Sequence, residues 1–219
     1  MSGDIHVRFR EHPEGQFLRV TRRNIYVRSE KAGHRVMRGI RTFLEEVLQL
    51  RINEAKSAVE RPWKRKFLGY SVTGHKDSRL RIAPASIQRL RGRLRALLRE
   101  GRGQSLARTI ESLNPLLRGW MAYFSKTEVT GPLEALDGWV RRRLRCLLWR
   151  HWKRAHTRFT RLCARGLSPE RARASASNGR GPWWNSGASH MNDAFRAAYF
   201  THMGLVPLLA TQQRLQRVQ

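Results

Sequence analysis

The sequence predicts an α+β chain: a small partial sheet near the N-terminus, a mainly α-helical bundle, and a helical C-terminal region. Three observations lead there. Short runs rich in β-branched and aromatic residues, at 24–29, 66–73 and 79–82, all lie before residue 83. From Pro84 onward, apolar residues recur at helical spacing in three successive segments joined by short loops. Beyond residue 157 the helical pattern continues in shorter pieces. The boundaries that follow are 1–23, 24–83, 84–156 and 157–219.

Residues 1–23 are polar, with Pro13 and Gly15 marking a turn; weak order or an edge hairpin is expected. Asn24 to Ser29 reads as a strand. Glu30 to Leu50 reads as a helix, with Ser29 as its cap and Val36, Ile40, Phe43, Leu44, Val47 and Leu48 on its inner side. The adjacent pair Glu45-Glu46 is then a surface pair. Leu50 to Val59 is a second strand. Lys66 to Thr73 is a third, turned by Gly74-His75-Lys76-Asp77 into a fourth at Arg79 to Ile82.

Pro84 to Arg99 carries Ile87, Leu90, Leu94, Leu97 and Leu98 on one side and is stopped by Gly101 and Gly103. Ser105 to Ser125 is the next helix, and Pro115 inside it predicts a kink or break. Thr130-Gly131-Pro132 turns the chain into a third helix, Leu133 to His156. At about 100° per residue, Leu136, Val140, Leu144, Leu147, Leu148 and His151 share one side of that helix. Arg141, Arg142, Arg145 and Lys153 lie on the other, with Trp149 and Trp152 among them. Two readings stand for this outer side: an interface where Arg meets phosphate and Trp stacks bases, or a solvated basic face whose Trp pack on a neighbour.

Ser168-Pro169-Glu170 opens a helix to about Ser177. Asn178 to Asn192 reads as a loop, in which Trp183 and Trp184 either plug onto the bundle or present a stacking surface. Asn192 to Met203 is a short helix, Leu205 to Leu209 an apolar clamp, and the last ten residues a fraying polar tail.

Composition narrows the function classes. Lys and Arg number 44 against 16 Asp and Glu, a formal charge of +28, which opposes compaction unless a polyanion relieves it. Nucleic acid is the leading partner class, through counterion release from phosphates. No apolar run approaches the roughly 18 residues of a transmembrane helix, and a membrane partner is not expected. The 2 Cys suggest a reducing compartment, so a cytoplasmic, nucleoid- or RNP-associated location is expected. Cys146, His151, His156 and Cys163 do not have the spacing of a zinc finger. There is no Walker loop, HExxH motif or nucleophile elbow, and no convergent set of carboxylates for metal-dependent phosphoryl transfer. The residues argue for binding rather than catalysis, and no cofactor is expected except Mg²⁺ carried by bound RNA or by a complementing chain.

Several motifs in order then carry a resemblance. NIYVRSEKAGHRVM at 24–37, RINEAKSAV at 51–59, PWKRKFLGYSV at 62–72, LNPLLRGWMAYF at 113–124, LDGWVRRRLRCLLWRHWKR at 136–154 and GPWWNSGASHMN at 181–192 together resemble the C-terminal part of bacterial group II intron-encoded reverse transcriptase–maturases. The resemblance covers about residues 24–210. It implies that residues 24–83 are the end of the palm, with Phe67, Leu68, Gly69 and Tyr70 as a primer-grip hairpin. Residues 84–156 look like the thumb, also called the maturase or X domain, and 157–219 like a DNA-binding region with a tail.

In that family the strand of NIYVRS follows a Tyr-Ala-Asp-Asp turn that binds catalytic Mg²⁺. This chain has Arg19, Val20, Thr21 and Arg22 there, so it looks like a truncated form without its own polymerase site. The resemblance implies a maturase module that binds group II intron RNA and stabilises its folded, splicing-competent form. Arg89, Arg93, Arg118, Arg141, Arg142, Arg143, Arg145, Trp149, Arg150, Trp152, Lys153 and Arg154 are the expected RNA contacts. Arg180, Trp183, Trp184, Asn185 and His190 are the expected DNA contacts, so a DNA target or an RNA–DNA duplex is a further partner. No residue is assigned a catalytic or metal-binding role. The alternatives are the C-terminal part of a split reverse transcriptase, using Lys56 and the primer grip beside a complementing fragment, or a non-functional remnant. A homodimer is expected if a second copy covers the open sheet edge.

Overall fold

The computed structural model describes residues 5–9, 23–54 and 57–217. The chain divides at Ala83/Pro84 into two compact units. Arg19, Val20, Thr21, Arg22 and Lys56, named above, lie outside the described residues.

The first unit is a small α+β layer. Strand β1 (Ile5–Phe9) is the central strand of a three-stranded antiparallel sheet, ordered β2-β1-β3. Its neighbours are β2 (Arg23–Val27) and β3 (Ala58–Glu60). The expectation of weak order or an edge hairpin over residues 1–23 is thus corrected for Ile5–Phe9, which pairs on both sides. The strand expected over 50–59 shrinks to Ala58–Glu60. Helix α1 (Glu30–Thr42) is capped by Ser29, whose Oγ accepts from the N–H of Ala32 at 3.2 Å.

The helix predicted to run to Leu50 instead widens at Thr42 into a π-helical turn, Phe43–Val47. The wider turn rotates the following side chains. Met37 and Leu44 form the core with Ile25, Ile40, Ile52 and Val59 packed against them. Phe43, Val47 and Leu48, expected on the inner side, stay 52%, 64% and 47% exposed. Glu45 and Glu46 are exposed, as expected of a surface pair.

A separate hairpin pairs β4 (Tyr70–Val72) with β5 (Leu80–Ile82). Before it, Phe67 and Tyr70 exchange backbone hydrogen bonds at 2.9 Å in both directions across Leu68 and Gly69, whose φ values are 49° and 82°. That is a two-residue turn with both central residues left-handed. Phe67 and Leu68 are exposed at its tip.

The second unit is helical. The bundle comprises α2 (Pro84–Glu100), α3 (Leu106–Tyr123) and α4 (Gly131–His151). Leu94, Leu113, Leu133 and Leu144 are fully buried, and Leu90, Ile110, Leu117, Leu136 and Val140 nearly so. Each such side chain stabilises the fold by roughly 1.5–3 kcal/mol relative to exposure. Of the kink or break expected at Pro115, the break does not occur: α3 is helical throughout. Pro115 and Glu111 are both exposed, so water can take the carbonyl that the ring leaves without a donor.

The helix predicted over Leu133–His156 is two helices. α4 ends at His151, and α5 (Ala155–Cys163) follows after Trp152-Lys153-Arg154. Neither Gly nor Pro marks this break. Trp152 turns inward against Phe195, with centroids 5.6 Å apart, and Arg158 Nε donates to the Trp152 carbonyl at 2.8 Å. Burial of the indole decides the boundary.

Helix α6 (Pro169–Ala176) is capped by Ser168 as expected. The predicted loop at 178–192 is instead largely helical, in α7 (Pro182–Gly187) and α8 (Ser189–Ala194). Asn185 explains α7: fully buried, its Nδ2 donates to the carbonyls of Arg180 at 2.8 Å and Gly181 at 3.2 Å. A saturated internal amide outweighs the weak helix preference of Trp-Trp-Asn-Ser-Gly. The short helix expected over Asn192–Met203 starts later, as α9 (Ala197–His202).

The expected fraying tail is helix α10 (Leu208–Arg217), which returns onto α3 and α4. Asn114 donates to the Gly204 carbonyl at 2.9 Å and accepts from the Val206 N–H at 3.0 Å. Gln212 and Gln216 donate to the Thr127 carbonyl at 2.8 and 3.0 Å. No described helix is long and apolar enough to cross a membrane.

Candidate nucleic-acid interface

Two helices of the bundle present cations to one cleft. Arg95 and Arg99 of α2, with Arg102 just beyond it, face Arg143 and Arg150 of α4 across a floor of Leu98, Leu147 and Cys146. None of these lining residues is acidic. Arg102 and Arg150 also border the next depression, which His151 and Lys153 share with Gly103, Gln104 and Ser105. The two form one basic groove across that end of the bundle.

Tryptophan rings hold the guanidinium groups. Arg91 and Arg95 approach the ring of Trp139 at 5.5 and 5.7 Å, and Arg143 approaches it at 5.2 Å. Arg143 also lies 4.6 Å from the ring of Trp183, which Arg142 meets at 4.1 Å. The order is Arg91 and Arg95, Trp139, Arg143, Trp183, Arg142. Each contact is worth about 0.5–1 kcal/mol at such half-exposed positions. Stacking occupies the flat faces of the guanidinium and leaves N–H edges for a phosphate. Burial, then the charges of Arg95, Arg150 and Arg142, hold Arg143 below the ordinary arginine range, partly opposed by Cys146. That crowding of like charge is what an anion in the groove would relieve.

The predicted RNA contacts divide. Arg143, Arg150 and Lys153 reach the groove, and Arg142 stands beside it on Trp183. Arg89 and Arg93 are exposed on another row of α2, where Arg89 donates to Ser86. Arg118 lies in a separate depression with Arg214. Arg141 interacts with the Asp137 carboxylate, and Arg154 is exposed at the start of α5.

Three expected contacts are corrected. Arg145 is buried: its Nε donates to the Phe195 carbonyl at 3.3 Å, and its Nη1 to the Ser186 carbonyl at 3.3 Å and to Asn192 Oδ1. It holds α7 and the segment after α8 onto α4, and cannot reach a phosphate. Burial, reinforced by Arg141 and Arg142, lowers its pKa to about 10. Trp149 is fully buried and Trp152 nearly so, their centroids 6.3 Å apart, so neither offers a face to a base. Helical periodicity placed these three outward; the short helices α7 and α8, with Phe195 after them, cover that side.

Among the expected DNA contacts, Asn185 and His190 are also buried, and this too is a correction. His190 stacks near Trp149 at 5.5 Å. Trp184 is 47% exposed with Arg180 4.5 Å from its ring, and Trp183 is 40% exposed beneath its arginines. Phe67, Leu68, Gly69 and Tyr70 lie in the turn of the first unit. Sequence reading missed Arg95, Arg99 and Arg102 of the groove, and Trp139 with Arg91 beside it. A signal existed: Arg91, Arg95 and Arg99 recur every fourth residue, one row on a helix. Among the described residues no group of three or more His, Cys, Asp or Glu could hold a metal ion, so Cys146, His151, His156 and Cys163 form no such cluster.

The helical bundle thus presents a tryptophan-braced arginine groove whose lining holds no carboxylate. Residues 87–165, from the second turn of α2 to just beyond α5, match the family model described as group II intron, maturase-specific domain. The chain thus carries a maturase-specific domain of the group II intron type, and its expected relation to the C-terminal region of such maturases holds. A maturase role and an interaction with intron RNA in general follow from that domain. No curated protein matches the chain.

Proposed function

We propose that this chain is an RNA-binding maturase module that stabilises folded group II intron RNA for splicing through the α2–α4 groove. The observation that carries this reading is the row of five arginines, Arg95, Arg99, Arg102, Arg143 and Arg150, lining a groove without a carboxylate. Phosphates neutralise such a row and release counterions. The RNA supplies the transesterification chemistry, and any Mg²⁺ arrives bound to the RNA. The protein's part is to hold backbone segments at a fixed spacing. Its place is then in a ribonucleoprotein particle.

The test is binding to a folded group II intron RNA from the same genome, against a scrambled RNA of equal length, across a salt series. Preference for the intron that survives physiological salt is the expected result. Equal affinity for both RNAs, collapsing steeply with salt, overturns it in favour of a generic polyanion binder and a remnant without splicing function.

A second reading has one observation in its favour. The exposed tip of the Phe67–Tyr70 turn suits contact with a primer end, as in the C-terminal part of a split reverse transcriptase. Primer extension on mixing with a chain that carries the missing aspartates is its test; no extension rejects it.

A further inference from the structure

Helix α7 lies outside the matched segment 87–165, yet it touches the basic face of α4. Several bonds fix it there. Ser186 Oγ donates to the Trp183 carbonyl at 2.7 Å, and buried Arg145 donates to the Ser186 carbonyl. Trp183 is thereby held with its ring against Arg142 and Arg143, and its carbonyl accepts from Arg142 Nη2 at 3.2 Å. Gly187 completes the fit. A Cβ at that position would lie 2.8 Å from Arg142 Cζ and Nη2, closer than atoms pack. The Arg142 guanidinium therefore sits against the Trp183 ring and the bare α-carbon of Gly187.

We infer that Trp183 and Gly187 are positioning residues for RNA binding: they fix the guanidinium planes of Arg142 and Arg143, so that α7 adds affinity through arginine–phosphate contacts and not by stacking a base. The inference rests on the RNA-binding reading above. An arginine loose on its stem loses rotamer freedom when it binds; one already stacked and hydrogen-bonded has lost it beforehand. The Trp183 ring meets two guanidinium groups, which leaves it poorly placed to receive a base. The Trp-Trp segment is then part of the maturase groove instead of a separate DNA-reading element.

Salt slopes separate the two roles, because losing a phosphate contact lowers the slope of log Kd against log salt by about 1, whereas losing a stacked base does not. The full chain is titrated with a folded group II intron RNA between about 50 and 200 mM salt. Wild type is compared with Trp183→Ala, Trp183→Phe, Gly187→Ala and Arg142→Ala/Arg143→Ala, and with Trp183→Ala and Gly187→Ala in the double-arginine background. Trp183→Ala is expected to weaken binding on the order of threefold to tenfold and to lower the slope by about 1. Gly187→Ala should move binding the same way at unchanged melting temperature, because only the end of the Arg142 side chain must shift. Trp183→Phe should restore most of the affinity. In the Arg142→Ala/Arg143→Ala background, neither change should have a further effect.

Weaker binding by Trp183→Ala at an unchanged slope, additive with the arginine changes, overturns the inference in favour of base stacking. So does wild-type binding by both Trp183→Ala and Gly187→Ala while the arginine double variant is weak. If Trp183→Ala does not fold, Gly187→Ala decides alone. If the double variant binds like wild type with the same slope, the RNA-binding reading of this face falls, and the inference with it.

Discussion

The carboxylate of Asp137, in the second turn of α4, caps a helix 71 residues away: Oδ1 accepts from the Leu208 N–H at 2.9 Å, and Oδ2 from the Leu209 N–H at 3.1 Å. These are the first amides of α10, which have no partner within their own helix. Asp137→Ala leaves both without an acceptor and should cost about 1–2 kcal/mol, read from a denaturant melt. Burial holds this carboxyl above its ordinary value, against the opposing pull of the two amides and Arg141. The folded state therefore binds more protons than the unfolded one in a window that opens at the ordinary carboxyl value of 3.8 and extends upward. In that window Asp137 contributes most at the acid end, and its contribution falls as pH rises. Asp137→Asn should flatten that part of the stability–pH curve; an unchanged slope contradicts the assignment.

Arg145 and its neighbours should respond differently to truncation. Arg145→Ala removes the donors to Ser186, Asn192 and Phe195, and should cost about 2–4 kcal/mol, with α7 loosened first. Arg145→Lys should not restore it, because an ammonium lacks the planar fork that spans three acceptors. Amide hydrogen exchange that rises in residues 182–194 before the bundle core is the expected signature.

Arg95→Ala with Arg143→Ala removes three arginine–tryptophan contacts, each worth about 0.5–1 kcal/mol, and should lower the melting temperature by several degrees without unfolding the bundle. The same pair should lower the salt slope of RNA binding by about 2. Arg89→Ala with Arg93→Ala, on the other row of α2, is the matched control and should lower it less. Equal effects from the two rows would remove the groove as the preferred contact.

His190 should make the second unit sensitive to mild acid. Burial, aided by Arg171 and opposed by Asp193, holds its imidazole below the ordinary value of 6.5. The unfolded chain then takes up the proton first. Stability from the neutral ring is present above about pH 6.5 and declines as pH falls through that value toward the lower folded one. His190→Gln should remove the decline below about pH 6.5; melts that fall equally in both proteins would refute it.

Leu68 is a leucine in left-handed backbone at φ 49°, and its side chain is 57% exposed. Leu68→Asn or Leu68→Gly should stabilise the first unit by about 1 kcal/mol, because the strain is relieved and little burial is lost. A drop in stability would show that the exposed leucine has an apolar partner.

The sequence alone determined the strand-bearing first part and the helical remainder, the serine-capped starts of α1 and α6, the bundle's apolar stripes and the overall cationic character. These follow from local rules: serine side chains satisfy amides near their own position, and a 3.6-residue period puts Leu90 and Leu94 on one side whatever lies opposite. The motif runs also pointed to the maturase-specific domain that residues 87–165 match. The same periodicity could not say which of two arginine rows on α2, Arg91-Arg95-Arg99 or Arg89-Arg93, faces α4; that depends on how two helices rotate against each other. It left open whether Trp149 and Trp152 pack on a neighbour, and it could not foresee that Arg145 is buried, because most of what covers these residues lies in 182–191, which read as a loop from its Gly, Pro, Ser and Asn. Asn185 and Arg145 decide that cover through hydrogen bonds that exist only once distant segments meet. A single helix wheel distinguishes an apolar side from a polar one; whether a polar side faces water, RNA or another helix is set by the tertiary contacts that supply or withhold partners.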